Sequence, residues 1–427
     1  MHVINEFKNF EHAELDLFKP VTFLIGKNGS GKTNAIEAVE LLANIAHGRP
    51  LYEIADIGRG SGGFEVRGGL PGCARNGREF SLGFDGGIRF FGNQESLSYF
   101  VHIGVQPEPH IASEALVIGD RTIFAGDLEP TGLLRVFYDN FARGGNKPSE
   151  HLSAERSVLS RYSSLTADLE PARGDRYKEA RTVVATLGAY IRSSFVFDPN
   201  PKAMRSYERV GQKILSRDGA NLSAVLHALS IGDPDAKAAL QRIVTSIKQL
   251  PEEPFENFGF VVTSQGDVLF GFRSAPEGPL MDARVLSDGT LRSLAVLTAL
   301  ETVESGSRVV IEEFDNGVHP TRVGVLTAAL WECSNRRKLN VLVTTHNPAT
   351  LDVLTNDQLK STVLCVYDQQ KKASRMIPLM AIPQSDLLLE RGHLGDLVTR
   401  KILERHLMPN LKEEQQRAAQ EWLQSLK

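Results

Sequence analysis

Residues 26–33 read Gly-Lys-Asn-Gly-Ser-Gly-Lys-Thr, a loop of the form GxxxxGK[ST]. It follows the apolar run Val21-Thr22-Phe23-Leu24-Ile25, and it precedes a stretch with apolar residues at Ala35, Ile36, Val39, Leu42 and Ile45. Strand, glycine turn and helix in that order give the motif its mechanism. Glycines let backbone N–H groups curl around phosphate oxygens, and the helix N-terminus adds partial positive charge. Lys32 is placed to reach the β- and γ-phosphates, and the Thr33 hydroxyl to ligate Mg²⁺. The expected nucleotide-binding residues are Gly26, Asn28, Gly29, Ser30, Gly31, Lys32, Thr33 and Asn34. A chance loop of this composition is the alternative, and the flanking strand and helix argue against it.

A chain of 427 residues exceeds one ordinary core, so two or three domains are expected. With 41% apolar and 23% charged residues the composition is that of a globular protein. The net charge of −4 gives no global argument for nucleic acid, although a local basic patch can hide in that average. Cys73, Cys333 and Cys365 are isolated, without a CxxC pair, and fit reduced thiols. The start MHVINEFKNF has no apolar signal core, and no run of ~18 apolar residues exists. No membrane span is expected, and the cytoplasm is the expected compartment.

Two strands are predicted before the loop: one from Val3-Ile4 through Phe7 and Phe10, the other over Ala13 to Leu17. Residues 50–135 are rich in glycine and in short strand-like runs such as 80–84 and 97–105, which predicts an antiparallel β layer. Residues 136–150, with Gly144-Gly145, read as a loop or partial linker. From 155 to 250 the pattern is helical, notably Asp175 to Arg192 and Asn221 to Leu250, broken at Asp233-Pro234. Strands return over Phe258–Phe272 with a turn at Gln265-Gly266-Asp267. Residues 286–350 then alternate helix and strand as a doubly wound α/β core does. No heptad run appears, which argues against a long coiled-coil arm.

Arg308-Val309-Val310-Ile311-Glu312-Glu313 is a buried strand ending in two carboxylates, and parallel strands carry ligands beyond their C-terminal ends. Glu312 is expected to hold the metal and Glu313 to polarise the attacking water. Such strands mostly carry Asp first, so Glu312 is a departure; a solvated acidic turn is the bland alternative. Asn340-Val341-Leu342-Val343-Thr344-Thr345 is a second buried strand, and His346 at its end is placed to sense a γ-phosphate. Pro320, after Asp315-Asn316-Gly317, is expected to open a helix. Ser287-Asp288-Gly289 reads as a helix cap with a backbone nest before Leu291, Leu294, Ala295 and Leu297. It is either a plain helix start or an anion-binding terminus offered to a neighbouring subunit's nucleotide.

The order of these segments resembles the ATPase heads of the ABC/SMC type, and more narrowly the stand-alone AAA-type ATPases related to the RecF and OLD families. LSDGT (286–290) resembles the ABC signature, IEEFDNGVHP (311–320) the Walker B and D-loop run, and TTHNP (344–348) the switch histidine. Residues 215–222 and Gly392-His393-Leu394-Gly395-Asp396 also resemble stretches of that family. The resemblance implies an ABC/SMC-type α/β head with a doubly wound core, an antiparallel β layer and an inserted helical region. It divides the chain into an N-terminal ATPase lobe (1–150), a helical insertion (151–257), a C-terminal lobe (258–379) and a helical extension (380–427). It implies ATP and Mg²⁺ as cofactors and a head-to-tail homodimer, in which Ser287 of one subunit meets the γ-phosphate held by Lys32 of the other. Glu313, Lys32 and His346 are then the catalytic residues, Ser287, Asp288 and Gly289 bind nucleotide, and Thr33 and Glu312 hold the metal. A glutamine of such heads touches Mg²⁺; Gln94 and Gln106 are weak candidates.

OLD proteins continue into a nuclease domain. Here only about 80 residues follow His346, and Asp368 and Glu390 form no metal-binding acidic set, so no nuclease is expected in this chain. Residues 411–427 read as a charged amphipathic helix. ATPases of this type often work beside a separately encoded effector, commonly a nuclease, in bacterial defence against phage. A RecF-like DNA clamp is the competing reading, with Arg156, Arg161, Arg173, Arg176, Lys178 and Arg181 as basic candidates against a solvated helix face. A transporter subunit fits badly, because about 250 residues separate the phosphate loop from Ser287. A non-hydrolysing nucleotide switch is a further alternative that the Glu312 departure keeps open.

Overall fold

The computed structural model describes residues 1–55, 66–141, 147–250, 255–275 and 277–407. Expectations for Gly144-Gly145 and for the helix 411–427 lie outside the described residues. Two compact units share the chain. One holds Met1–Phe18, Gly29–Ser194 and Tyr367–Met376; the other holds Lys19–Asn28, Phe195–Val366 and Ile377–Lys427.

The first unit is an antiparallel β layer with helices. His2–Phe7 pairs with Phe10–Leu15 (Ile4 opposite Ala13) and with Glu79–Phe90 (Ile4 opposite Leu82). A meander then runs through Asn93–Gly104, His110–Ile118, Arg121–Leu128, Leu133–Tyr138 and Ser149–Ser153. The helices Lys32–Ala46, Val158–Leu165 and Glu170–Arg192 pack with one another and onto this sheet. The Glu114 carboxylate, inside the unit, accepts from the Ser157 hydroxyl (2.8 Å), the Val158 and Leu159 amides (2.7 and 2.8 Å) and the Tyr99 hydroxyl (3.0 Å). It thereby satisfies the first amides of the helix Val158–Leu165, which lack intrahelical partners. Burial pushes its pKa up, although the four donors pull the other way.

The second unit is a parallel α/β core. Strands Arg308–Ile311, Asn340–Thr345, Val21–Ile25 and Thr362–Asp368 lie side by side in that order and run parallel, with Ser194–Phe197 outside the first. All five residues of Val21–Ile25 and all four of Arg308–Ile311 are buried, the polar Thr22 and Arg308 along with the apolar majority, as both faces of a covered parallel sheet are. Each fully buried Val, Leu or Ile here contributes about 1.5–3 kcal/mol relative to exposure. Helices Leu222–Ile231, Pro234–Lys248, Asp288–Thr302 and Pro320–Arg337 pack in this unit, as does an antiparallel sheet of Glu208–Arg209, Asp267–Arg273, Asn257–Val262 and Leu280–Asp282. Asp233 caps the helix that starts at Pro234, accepting from the Ala236 amide at 2.8 Å, so the expected break and restart is present.

Two expectations are corrected. Residues 136–150 are not simply a loop, because Phe137 pairs with Ser149 and Val136 with Glu150. Leu134, Val136 and Tyr138 are buried while Leu133, Arg135 and Phe137 are exposed, a period of two that marks a strand. The helical region from 155 to 250 is also interrupted by Ser194–Phe197, a strand of the core sheet too short to show a period.

Candidate nucleotide site

Parallel strands bring their C-terminal ends to one edge, and registers fix which residues leave it together. Thr345 stands opposite Ile25, and Ile311 opposite Val343. Gly26, His346 and the Glu312-Glu313 pair are therefore the first residues past three neighbouring strand ends of the second unit. That edge is where open α/β sheets bind ligands.

The phosphate loop passes from Ile25 to the helix Lys32–Ala46. Its glycines Gly26, Gly29 and Gly31 have φ of 147°, 80° and 112°, values that L side chains rarely adopt. Gly31 is doubly constrained, since a Cβ there would lie 2.8 Å from Asn9 Nδ2 and 3.0 Å from Ser374 Oγ. Those two side chains form a cradle: Asn9 donates to Ser374 Oγ (2.6 Å), and Ser374 donates to the Ser30 carbonyl (2.5 Å). Asn34 joins it by donating to Asn9 Oδ1 at 2.7 Å. Gly31 stands at the N-cap with no side chain to accept the first amides, leaving that end suited to an anion. Lys32 is buried and Thr33 half-buried in the first turn. Glu37, one turn on, is buried and takes ion pairs from Lys8 and from Arg67 (2.7 Å). Burial alone would raise its pKa, but the Arg67 and Lys8 hydrogen bonds and charges hold it below the ordinary value. Asn9, Ser374, Lys8 and Arg67 carry no motif, and only the fold reveals their place.

Glu312 is half-buried, and its amide donates to the Phe197 carbonyl at 3.3 Å. Glu313 has φ of 44°, an unusual backbone for a residue other than glycine. Its amide donates to Thr344 Oγ1 at 2.9 Å, and its carboxylate accepts from Asn316 Nδ2 at 3.1 Å. His346 Nδ1 lies 3.6 Å from Glu313 Oε1, with the His346 side chain largely exposed. Below them Asp315 is buried and accepts from Thr345 Oγ1 (2.6 Å) and from the Thr350 hydroxyl. Burial pushes the Asp315 pKa up against those two hydrogen bonds. Asp315 thus ties the acidic turn to the strand that carries His346, a role that its position in a turn signal did not announce.

Ser287 caps the helix Asp288–Thr302 as expected, its Oγ accepting from the Thr290 amide at 3.1 Å. Gly289 packs on the turn after Glu313, where a Cβ would come within 2.5 Å of the Gly317 carbonyl oxygen. Pro320 opens the next helix as expected, with His319 as its cap. Gln94 lies near the start of Asn93–Gly104, a strand paired on both sides within the first unit's sheet, and Gln106 donates to the Gly77 carbonyl at 2.8 Å. Among the basic candidates, Arg161 donates to the Ser157 and Ser153 carbonyls, and Arg181 lies 5.7 Å over the Tyr177 ring. The side chains of Arg173 and Arg176 lie outside the described residues. Asp368 accepts the Gln370 and Lys371 amides. A cavity of about 540 Å³ in the first unit is lined by Phe90, Phe91, Glu95, Arg121 and Asp139 among others, and by none of the expected site residues. Cys73, Cys333 and Cys365 are buried thiols outside any disulfide, and burial pushes the Cys73 and Cys333 thiols up to about 12. Among the described residues no helix is long and apolar enough to cross a membrane.

The oxygen donors expected to hold a metal, the Thr33 hydroxyl and the Glu312 carboxylate, suit Mg²⁺. That ion keeps several waters and takes one or two protein oxygens beside phosphate. Among the described residues no cluster of three or more His, Cys, Asp and Glu side chains offers a closed metal cage.

Residues 126–352 match a family described as an AAA domain, putative AbiEii toxin, Type IV TA system, and residues 3–43 match an AAA domain. The DNA replication and repair protein RecF of Gloeobacter violaceus is 42% identical over 57 residues, 13% of this chain and 15% of the relative. RecF of Proteus mirabilis is 35% identical over 81 residues, 19% of this chain and 22% of the relative. The chain therefore matches only a fifth or so of the length of these curated relatives. An SMC head bound to the C-winged helix domain of ScpA aligns with a TM-score of 0.45 at 10% identity, over 88% of this chain and 95% of that one. The SMC head domain from Thermotoga maritima aligns with a TM-score of 0.40 at 13% identity, over 88% and 97%. The first family model spans more than half of the chain: the protein belongs to that AAA-domain family.

Proposed function

We propose that the chain binds ATP with Mg²⁺ and hydrolyses it to ADP and phosphate as a head-to-tail homodimer, and that this cycle controls a separately encoded effector, a nuclease, in anti-phage defence in the cytoplasm. The observation that carries the ATPase reading is the placing of Glu313 with His346 at the sheet edge from which the phosphate loop departs. In this reading 1–150 and 258–379 are the two ATPase lobes, 151–257 a mostly helical insertion that also lends the core sheet the strand Ser194–Phe197, and 380–427 an extension.

Gly26, Asn28, Gly29, Ser30, Gly31 and Asn34 shape the loop, and its amides bind phosphate oxygens. Lys32 neutralises β/γ charge, while Thr33 and Glu312 hold Mg²⁺. Mg²⁺, when bound, offsets the negative charge that grows on the phosphates. Glu313 takes a proton from the attacking water, and His346 orients it by hydrogen bonding to the carboxylate. Ser287, Asp288 and Gly289 of one subunit reach the nucleotide of the other, so that closure and catalysis coincide. The glutamate at position 312 has one more methylene than the usual Asp, and that longer arm would serve to hold the metal. The test is phosphate release by the parent chain and by Lys32→Ala and Glu313→Gln variants. Turnover that both substitutions leave intact would remove the ATPase assignment.

The effector reading rests on the resemblance to stand-alone defence ATPases, and the family's own description, a putative AbiEii toxin of a Type IV TA system, is in keeping with a two-component system. Affinity purification from the native host with ATP and Mg²⁺ tests it: a stoichiometric nuclease or toxin supports it, and its absence overturns it. A DNA clamp is the second reading, favoured by local identity to RecF. It requires duplex DNA binding that weakens steeply with salt.

A further inference from the structure

The Ser287 loop is gripped from outside its own helix. A single guanidinium nitrogen, Arg205 Nη2, donates to the Leu286 carbonyl at 2.8 Å and to Asp288 Oδ1 at 2.6 Å. These acceptors belong to the two residues flanking Ser287. Asp288 is 69% exposed, and an ion pair that wet adds little to stability. What the pair supplies is position, because one charged donor ties both residues that flank Ser287 to the segment carrying Arg205.

Arg205 itself is well anchored. The preceding Met204 is fully buried, and its Cε packs against Gly219. The segment leading to it is bonded along its length: the Asp198 amide donates to the Arg217 carbonyl and the Asn200 amide to the Asp218 carbonyl, both at 2.9 Å. The Ala203 amide donates to the Asn200 carbonyl at 3.0 Å. At its other end the Phe197 carbonyl accepts the Glu312 amide. A stiff strap of nine residues therefore starts at the acidic strand end and finishes on the Ser287 loop of the same chain.

We propose that Arg205 is a positioning residue for Ser287, and that the strap 197–205 sets the Ser287 loop by the position of the Glu312 strand end. The inference rests on the proposed role of Ser287 at the nucleotide of a second subunit. It gives residues 215–222, which the ATPase reading left without a role, the task of bracing the strap.

The experiment uses the full chain with Arg205→Ala and Arg205→Lys, each alone and combined with Glu313→Gln. Three quantities are read: ADP affinity, turnover at saturating ATP, and ATP-dependent self-association of the Glu313→Gln forms. Arg205→Ala is expected to hold ADP affinity within about twofold while lowering turnover and weakening association by about tenfold, the weight of one charge-assisted hydrogen bond. Arg205→Lys, which keeps a charged donor able to reach both acceptors, recovers most of the loss. A merely structural Arg205 would instead lower ADP affinity and thermal stability in parallel, and that outcome overturns the inference. So does Arg205→Ala with turnover and association like the parent. If the parent neither hydrolyses ATP nor associates, the reading of Ser287 has failed and this inference falls with it; a working parent beside an indifferent Arg205→Ala sinks the inference alone.

Discussion

His346 Nδ1 and Glu313 Oε1 are 3.6 Å apart, at the ends of strands that are direct neighbours in the parallel core. The imidazole is close enough to tighten onto the carboxylate or onto a water between them. Glu313→Gln keeps the shape and removes the proposed base. Turnover should fall by about 10²–10⁴-fold while ATP affinity is retained. Adding His346→Ala to Glu313→Gln should cost far less than the product of the single losses, because in the proposed mechanism the two act on one proton transfer. Phosphate-release rates of the four forms check this; multiplicative losses would separate the two residues.

Thr344 is two residues before His346, buried, and accepts the Glu313 amide. That bond holds a residue whose φ of 44° is otherwise unfavourable. Thr344→Val leaves the amide without its acceptor and should cost about 1–3 kcal/mol of stability. It should also lower turnover more than it raises the KM for ATP, since Glu313, the proposed base, is displaced and the phosphate loop is not. Thr344→Ser, which keeps the hydroxyl, should restore both. Denaturant melts and steady-state kinetics on the pair decide; equal behaviour of Val and Ser would remove Thr344 from the positioning of Glu313.

The parts of the site that were legible are those encoded by local chemistry. The glycines of 26–31 announce their φ values, the run 308–313 announces a buried strand with acids at its end, and Ser287 announces a cap. What the sequence hid depends on long-range approach. Asn9 and Ser374 meet across 365 residues, and Arg205 reaches Asp288 across 83. Asn, Ser and Arg occur throughout any chain, so nothing marks these copies before the fold closes. The strand Ser194–Phe197 was hidden for another reason: four residues are too few for a period to emerge. Asp315 was read as a turn residue because Asp-Asn-Gly is a turn signal; its burial under Thr345 and Thr350 comes from tertiary packing.

Glu37 links the phosphate-loop helix to Lys8 and Arg67, and its folded pKa lies below the ordinary value of 4.5 despite the opposing effect of burial. A carboxyl with a depressed folded pKa stabilises the fold above its unfolded pKa, and that stability is lost as pH falls through the folded value. The parent should therefore be more stable than Glu37→Gln at neutral pH. The gap should close progressively below about pH 4.5. Melting temperatures of both forms from pH 7 down to pH 3 test the sign. A gap that widens with acid would mean that burial outweighs the two cations.

Gly289 and Gly317 make a paired test of backbone approach. A Cβ on Gly289 would lie 2.5 Å from the Gly317 carbonyl oxygen, 3.3 Å from its carbon and 3.4 Å from Val318 Cα. All three are main-chain atoms, which cannot swing aside as a side-chain tip does. Gly289→Ala should therefore push the Ser287 helix off the turn after Glu313, at about 1–3 kcal/mol for overpacking, with a loss of turnover larger than the loss of stability would explain. A Cβ on Gly317 meets nothing within 4 Å, and only its φ of 72° resists a side chain. Gly317→Ala should cost about 1–2 kcal/mol for the left-handed backbone alone and leave the KM for ATP unchanged. Chemical denaturation and turnover of the two variants, measured side by side, distinguish steric from conformational cost. If Gly289→Ala proves the milder change, the helix and the turn do not approach as closely as these distances require.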